Sequence, residues 1–233
     1  MIKHKVSIIV ATWNALPYFK KCIESIKQFT SNDYEIIVVD NYSRPDMIEY
    51  IKSLNCKSIF NSSNLGPGAA FNQGINISDG EYICLLNSDA EPTIDWLNHM
   101  LVTLNSNPKI GIVGPMCNNI SSSQSNLSKR GLEDFEIPNG YVMPFVCVLM
   151  NREIFTKNGV GLIAERFVQG CSEDSEYCNR LNNNGYIKMV SAKAYVAHAL
   201  NQSYRDNNVD TTKVCYDMGR LLDQAEEIKY LIK

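Results

Sequence analysis

Residues 82–86 (YICLL) form an apolar run with no polar alternation, and this run constrains the fold more than any other stretch. Such a run reads as a strand covered on both faces, as in a parallel sheet sandwiched between helices. It stops abruptly at Asn87-Ser88-Asp89, and Pro92 rules out simple continuation as a central strand. A carboxylate at the carboxyl end of such a strand sits where open α/β sheets bind their ligands. Asp is also a hard oxygen donor suited to Mg²⁺ or Mn²⁺, which phosphate-handling sites hold with one or two carboxylates plus the phosphates themselves. The competing reading of Asp89 is a residue that begins a turn or caps the next helix.

Similar runs recur at regular intervals. Residues 6–12 and 34–40 read as buried strands, the second ending in Asp40, and 57–61 as a third. Between them, Leu16, Phe19, Ile23 and Ile26 recur at helical spacing, with Pro17 suited to a first turn, and 45–54 reads as a short helix. A turn at 64–68 feeds a helix ending near Ile77; after 82–86 come a helix over 93–105 and a strand over 110–114. Strands alternating with helices at this interval imply βαβ units, a mostly parallel Rossmann-like sheet and an α/β fold.

The pattern changes after Pro115. Residues 118–130 (NNISSSQSNLSKR) are polar and without periodicity, which predicts a loop, and the stretch 118–140 is a candidate lid over the substrate. Strands are expected over 141–150, 187–190 and 194–199, a short helix over 152–158, and a helix over 173–183 ended by Gly185. From Thr211 a long amphipathic helix carries Val214, Met218, Leu221, Leu222, Ala225, Ile228 and Leu231 on one side. That face is expected to pack on the core; it is also a candidate oligomer interface, and peripheral membrane association is compatible with it.

Composition narrows the function classes. A net charge of -3 over 233 residues argues against a dedicated nucleic-acid binder, which would present a basic face. Residues 1–10 lack the apolar core of a secretory signal, and no apolar run is long enough to span a bilayer, so a cytoplasmic protein is expected. None of the eight cysteines forms a Cys-x-x-Cys pair, and reduced structural thiols are expected.

Three carboxylate positions stand out: Asp40 and Asp89 at strand ends, and the Glu173-Asp174 pair at a helix start. The plainer account of that pair is helix capping, with Ser172 as N-cap and both acids favoured by the helix dipole. His198 closes an apolar strand and is one of three histidines. It reads either as a satisfied structural residue or, with Asp89, as half of a mixed metal site. Gly66-Pro67-Gly68 is a poor dinucleotide fingerprint, because Phe71 stands where the third glycine belongs.

Taken in order, SIIVATWN (7–14), EIIVVDNYS (35–43), NLGPGAAFNQG (64–74), LLNSDAEP (85–92), SEDSEYCNRL (172–181) and AHALNQS (197–203) resemble the family 2 glycosyltransferases. The likeness is nearest to bacterial members that build cell-surface glycans, including rhamnosyltransferase-like ones. It implies a GT-A fold in a single domain over 1–233: a nucleotide-sugar half (1–115), an acceptor and catalytic half (116–205) and a C-terminal helix (206–233). It also implies inverting transfer from a UDP-, dTDP- or GDP-linked sugar to a glycan or lipid-linked acceptor, with Mn²⁺ or Mg²⁺ as cofactor; a peripheral place at the inner face of the plasma membrane is compatible with the cytoplasmic expectation. By the same resemblance Thr12, Asn14 and Asp40 would serve the nucleotide, and Asn64, Gly68, Asn87 and Ser88 would approach the nucleotide-sugar. Asp89 matches the last position of the Asp-x-Asp motif and His198 the late histidine, together the metal ligands, while Asp174 matches the catalytic base and Arg180 follows as in many members. Asn87 departs from the motif, which usually opens with Asp. Two rivals remain: a non-catalytic nucleotide-sugar-binding scaffold and a sugar nucleotidyltransferase. The latter would be expected to carry a Gly-rich basic loop after the first strand, and residues 13–17 (WNALP) offer none.

Overall fold

A computed structural model describes residues 6–231, with side chains described through Asp223. The apolar runs become strands β1 (Val6–Thr12), β2 (Tyr34–Asp40), β3 (Lys57–Phe60) and β4 (Tyr82–Asn87), all parallel, in the order β3-β2-β1-β4. Their register sets Thr12 beside Asp40 and Ala11 beside Asn87, so these strand ends share one edge of the sheet.

Both faces of these strands are covered, which is why the runs show no polar alternation. Ile8, Val10, Val38, Cys84 and Leu86 face one core, filled by helices α1 (Leu16–Phe29), α2 (Pro45–Ser53) and α4 (Trp96–Leu104). Ile9, Ile37, Val39, Ile83 and Leu85 face the other, covered by α3 (Pro67–Ile77) and α5 (Glu173–Asn183). Phe19, Ile23 and Ile26 of α1 are at most 1% exposed, and each such side chain contributes about 1.5–3 kcal/mol by leaving water. Pro17 falls in the first turn of α1, where its missing N–H costs nothing. Gly185 ends α5 in the left-handed region at φ 78°, as expected.

The second half extends the same sheet and departs further from expectation. Among the described residues the sheet has nine strands, continuing from β4 through β8 (Cys147–Asn151), β6 (Ile110–Cys117), β9 (Ile187–His198) and β5 (Ala90–Pro92), with β7 (Phe135–Ile137) on β9. β8 runs antiparallel to both β4 and β6, and β9 antiparallel to β5 and β7, so the parallel pairs are those among β1–β4 and the β6–β9 pair. Residues 141–146 are not strand: Pro144 interrupts them, and Met143 and Phe145 turn into the core instead. β9 is one strand where two were expected, because a register shift against β6 between Pro115 and Met116 takes up the extra residues. Pro92 lies on β5 at the sheet edge, where a missing N–H is tolerated. The polar stretch after Pro115 is largely irregular but contains β7, and its Asp134 accepts from Ala192 N–H of β9 at 2.8 Å. Residues 152–155 form one 3₁₀ turn, and a short helix α6 (Gln202–Asp206) precedes α7 (Thr211–Leu231).

On α7, Val214 and Met218 pack against Phe167, with Leu221 and Leu222 beside them; the side chains of Ala225, Ile228 and Leu231 lie outside the described residues. Cys171 and Cys215 are joined as a disulfide, which corrects the expectation of eight reduced thiols; the other six are free. No helix among the described residues is long and apolar enough to cross a membrane.

Candidate active site

The carboxyl ends of β1 and β4 open into a cleft of about 1020 Å³. Thr12, Asn64, Asn87, Ser88, Asp89, Asp174 and His198 line it; Asn14, Asp40 and Gly68 are not among the lining residues, although Asp40 is the register partner of Thr12.

Asp89 occupies the two-residue turn between β4 and β5 and caps no helix; the residue at the start of α4 is Asp95. Pairing of β5 with β9 sets Ala90 opposite His198, and this brings His198 to Asp89. His198 Nε2 lies 3.1 Å from Asp89 Oδ1, and Gln202 N–H donates to Asp89 Oδ2 at 3.1 Å. Burial pushes the Asp89 carboxyl up, but His198 and the Gln202 amide outweigh it and hold the group below its ordinary 3.8. His198 is fixed in turn by its neighbours: its N–H donates to Asn118 Oδ1 at 2.7 Å, and its carbonyl accepts from Asn119 Nδ2 at 2.9 Å.

The pair suits a divalent cation. Two adjacent ligands of an octahedral ion, each at about 2.1 Å, lie about 3 Å apart, close to the separation found here. Among the described residues no group of three or more His, Cys, Asp or Glu side chains is placed to hold a metal ion, so phosphate oxygens or water would have to complete the shell.

Asp174 stands in the first turn of α5 on the same cleft. Ser175 holds its Oδ1 through the backbone N–H at 2.7 Å and the hydroxyl at 3.3 Å, and burial raises the carboxyl above its ordinary 3.8. Glu173 is buried with Oε2 unpartnered; burial and the Asp174 charge push it from 4.5 up to about 8. Ser172 makes no capping bond: at φ 77° it is left-handed, so the capping account of this acidic pair loses its N-cap.

At the β1–β2 end the pattern differs. Thr12 Oγ1 and Asp40 Oδ1 are buried without partners, while Asp40 Oδ2 accepts from Ser43 N–H at 3.1 Å. Asn14 is spent on bracing: its Oδ1 accepts from Arg44 N–H at 2.7 Å and its Nδ2 donates to Asn207 at 2.6 Å. Asn64 Oδ1 accepts from Gly66 N–H at 2.9 Å. Gly68 permits close packing, since a Cβ there would meet the Ala164 carbonyl at 2.9 Å.

Sequence reasoning passed over Asn118, Asn119 and Gln202, which position the Asp89–His198 pair. The only signal for them was polar residues directly after a strand, in stretches that otherwise read as loop. Also unforeseen is the closure of the cleft by α6 and the start of α7, with Tyr204, Asp210, Lys213 and Asp217 on its wall.

Residues 7–159 match the family model described as glycosyl transferase family 2. The chain belongs to that family. The match runs from β1 through β8 and stops before Asp174 and His198, so those two rest on geometry and on the resemblance of their local motifs. EpsH of Bacillus subtilis (strain 168), named as a glycosyltransferase, is 36% identical over 102 residues, covering 42% of this chain and 30% of EpsH. The crystal structure of GalNAc-T7 with UDP, GalNAc and Mn²⁺ superposes with a TM-score of 0.69 at 16% identity, over 84% of this chain and 43% of that one. The mannosyltransferase PcManGT from Pyrobaculum calidifontis, in complex with GDP-Man and Mn²⁺, gives 0.67 at 17% identity, over 86% of this chain and 58% of that one. These likenesses establish the GT-A fold, and the family 2 chain described here spans well under two thirds of the proteins it resembles.

Proposed function

We propose that this family 2 chain transfers a sugar from a nucleotide-sugar donor to a hydroxyl of a glycan or lipid-linked acceptor, with inversion at the anomeric carbon. The observation that carries the reading is the convergence of the Asp89–His198 pair and Asp174 on one cleft. A divalent cation held by Asp89 and His198 would supply Lewis-acid stabilisation to the leaving diphosphate. The protein contributes the rest. Thr12, on the cleft wall, receives the nucleoside, with Asp40 beside it in the register: both carry a buried oxygen without a protein partner, and a nucleoside offers hydroxyl and imino donors. Asp174, oriented by Ser175, takes the proton of the acceptor hydroxyl as that oxygen attacks. Its raised proton affinity suits a base working near neutral pH. The GalNAc-T7 and PcManGT complexes, with UDP or GDP-Man and Mn²⁺, support a nucleotide-sugar donor and a divalent cation.

Asp174→Asn keeps the shape of the side chain and removes the base. Transfer is expected to fall by roughly 10²–10⁴-fold, while donor binding measured by calorimetry stays within about twofold of wild type. Undiminished transfer by this variant would remove Asp174 from the mechanism.

A further inference from the structure

We infer that Lys213 is the fixed cation that holds the donor diphosphate, presented by α7 and pinned in place by the Cys171–Cys215 bond. The inference rests on the nucleotide-sugar reading and adds a residue to it from outside the family match. The cleft is acidic: Asp89, Asp174, Asp210 and Asp217 line it, beside Glu173, which its raised proton affinity keeps largely neutral near pH 7. A diphosphate bridge brings two further negative charges into that field. The cation held by Asp89 and His198 would offset part of them, and Lys213 is the one Lys or Arg among the described lining residues.

Lys213 is also uncommitted. Arg44, Lys57, Arg166 and Arg180 each pair with a carboxylate, whereas Lys213 has no ion-pair partner among the described residues. An ammonium group on a flexible stem, with three rotatable donors, suits phosphate oxygens.

Its backbone is held from several directions. The Lys213 N–H donates to Asp210 Oδ1 at 3.3 Å, and Val214 N–H donates to the Asp210 carbonyl at 3.1 Å. Val214 and Met218 are each 5% exposed against Phe167, and Cys215, two residues beyond Lys213, is bonded to Cys171. Cys171 lies two residues before Glu173 in the turn that sets up the acidic pair. The disulfide thus fixes the start of α7 against the wall that carries Asp174. Without it, Lys213 would ride on a helix anchored by only a small apolar cluster.

The test is calorimetric titration of UDP, dTDP and GDP, with Mn²⁺ and with EDTA, into wild type, Lys213→Ala, Lys213→Arg and Cys215→Ser. Lys213→Ala is expected to weaken the nucleotide that wild type binds best by about tenfold, the worth of one charge-assisted hydrogen bond. It should also flatten the dependence of that affinity on salt. Lys213→Arg keeps the charge and should stay within about threefold of wild type. Cys215→Ser should weaken binding by a smaller factor, and adding it to Lys213→Ala should cost nothing further, because both act through one side chain. Lys213 is solvent-exposed, so Lys213→Ala is expected to fold as wild type does, checked by its melting temperature. If wild type binds nucleotide tightly and Lys213→Ala matches it within about twofold at every salt concentration, the inference is wrong while the transferase reading stands. If wild type binds none of the three nucleotides, both fall.

Discussion

The two ends of the cleft are built in opposite ways. At the β4 end, Asp89 meets His198 with one oxygen and the Gln202 amide with the other, and Asn118 and Asn119 fix His198 from behind. At the β1–β2 end, Thr12 Oγ1 and Asp40 Oδ1 are buried with no protein partner. An unpaired buried oxygen costs about 1–3 kcal/mol and is retained where something else completes it. One end is therefore organised by the protein itself, and the other is left for a ligand to finish. This division suits the proposed activity, in which the site would hold an ion in fixed geometry yet bind and release a nucleotide on every turnover.

The largest expected effect lies at the self-organised end. Asp89→Ala leaves His198 Nε2 and the Gln202 N–H without their partner, so about 1–3 kcal/mol of stability should be lost. Metal-dependent donor binding should disappear with it, as read by denaturant unfolding and by titration with Mn²⁺. Retention of both would mean that the pair is not the cation site. Asp40→Asn should behave in the opposite way. The amide oxygen can still accept from Ser43 N–H and the other position has no protein partner to lose, so stability should change by less than about 1 kcal/mol, whereas donor affinity falls by about tenfold. A stability loss as large as that of Asp89→Ala would erase the contrast between the two ends.

A pH-dependent effect concerns Glu173. Its proton affinity is raised in the folded state from 4.5 to about 8, so between those values the folded protein holds a proton that the unfolded chain has released. That stabilisation is complete below about pH 4.5 and is lost as pH rises through about 8. Melting temperature should therefore decline across this window in wild type, and Glu173→Gln should flatten the decline. An identical slope in both proteins would place the titrating group elsewhere.

How much of this could be read from sequence follows the same division. β1, β2 and β4 were legible because burial on both faces leaves unbroken apolar runs, and a parallel register carries Thr12, Asp40 and Asn87 to one edge without further information. The braced end was less legible. His198 could be placed at a strand end, but its meeting with Asp89 depends on the antiparallel pairing of β5 with β9, and β5 is three residues long and contains a proline. β7 escaped notice because a three-residue strand is too short to show a period. β9 read as two strands because its register shift breaks the alternation. The Cys171–Cys215 bond spans 44 residues and depends on where α7 packs, which no local pattern encodes. At Asn14 the motif suggests the nucleotide pocket and says nothing of the bonds its side chain makes to Arg44 and Asn207.

The most direct measurement is a calorimetric titration of wild type with UDP-, dTDP- and GDP-linked sugars, each in Mn²⁺, Mg²⁺ and EDTA, with released nucleoside diphosphate assayed afterwards. Binding by one nucleotide series that requires the metal, with slow release of its diphosphate, is the expected result. Absence of binding by every donor in every metal would contradict the transferase assignment and favour a scaffold that keeps the family fold without its chemistry.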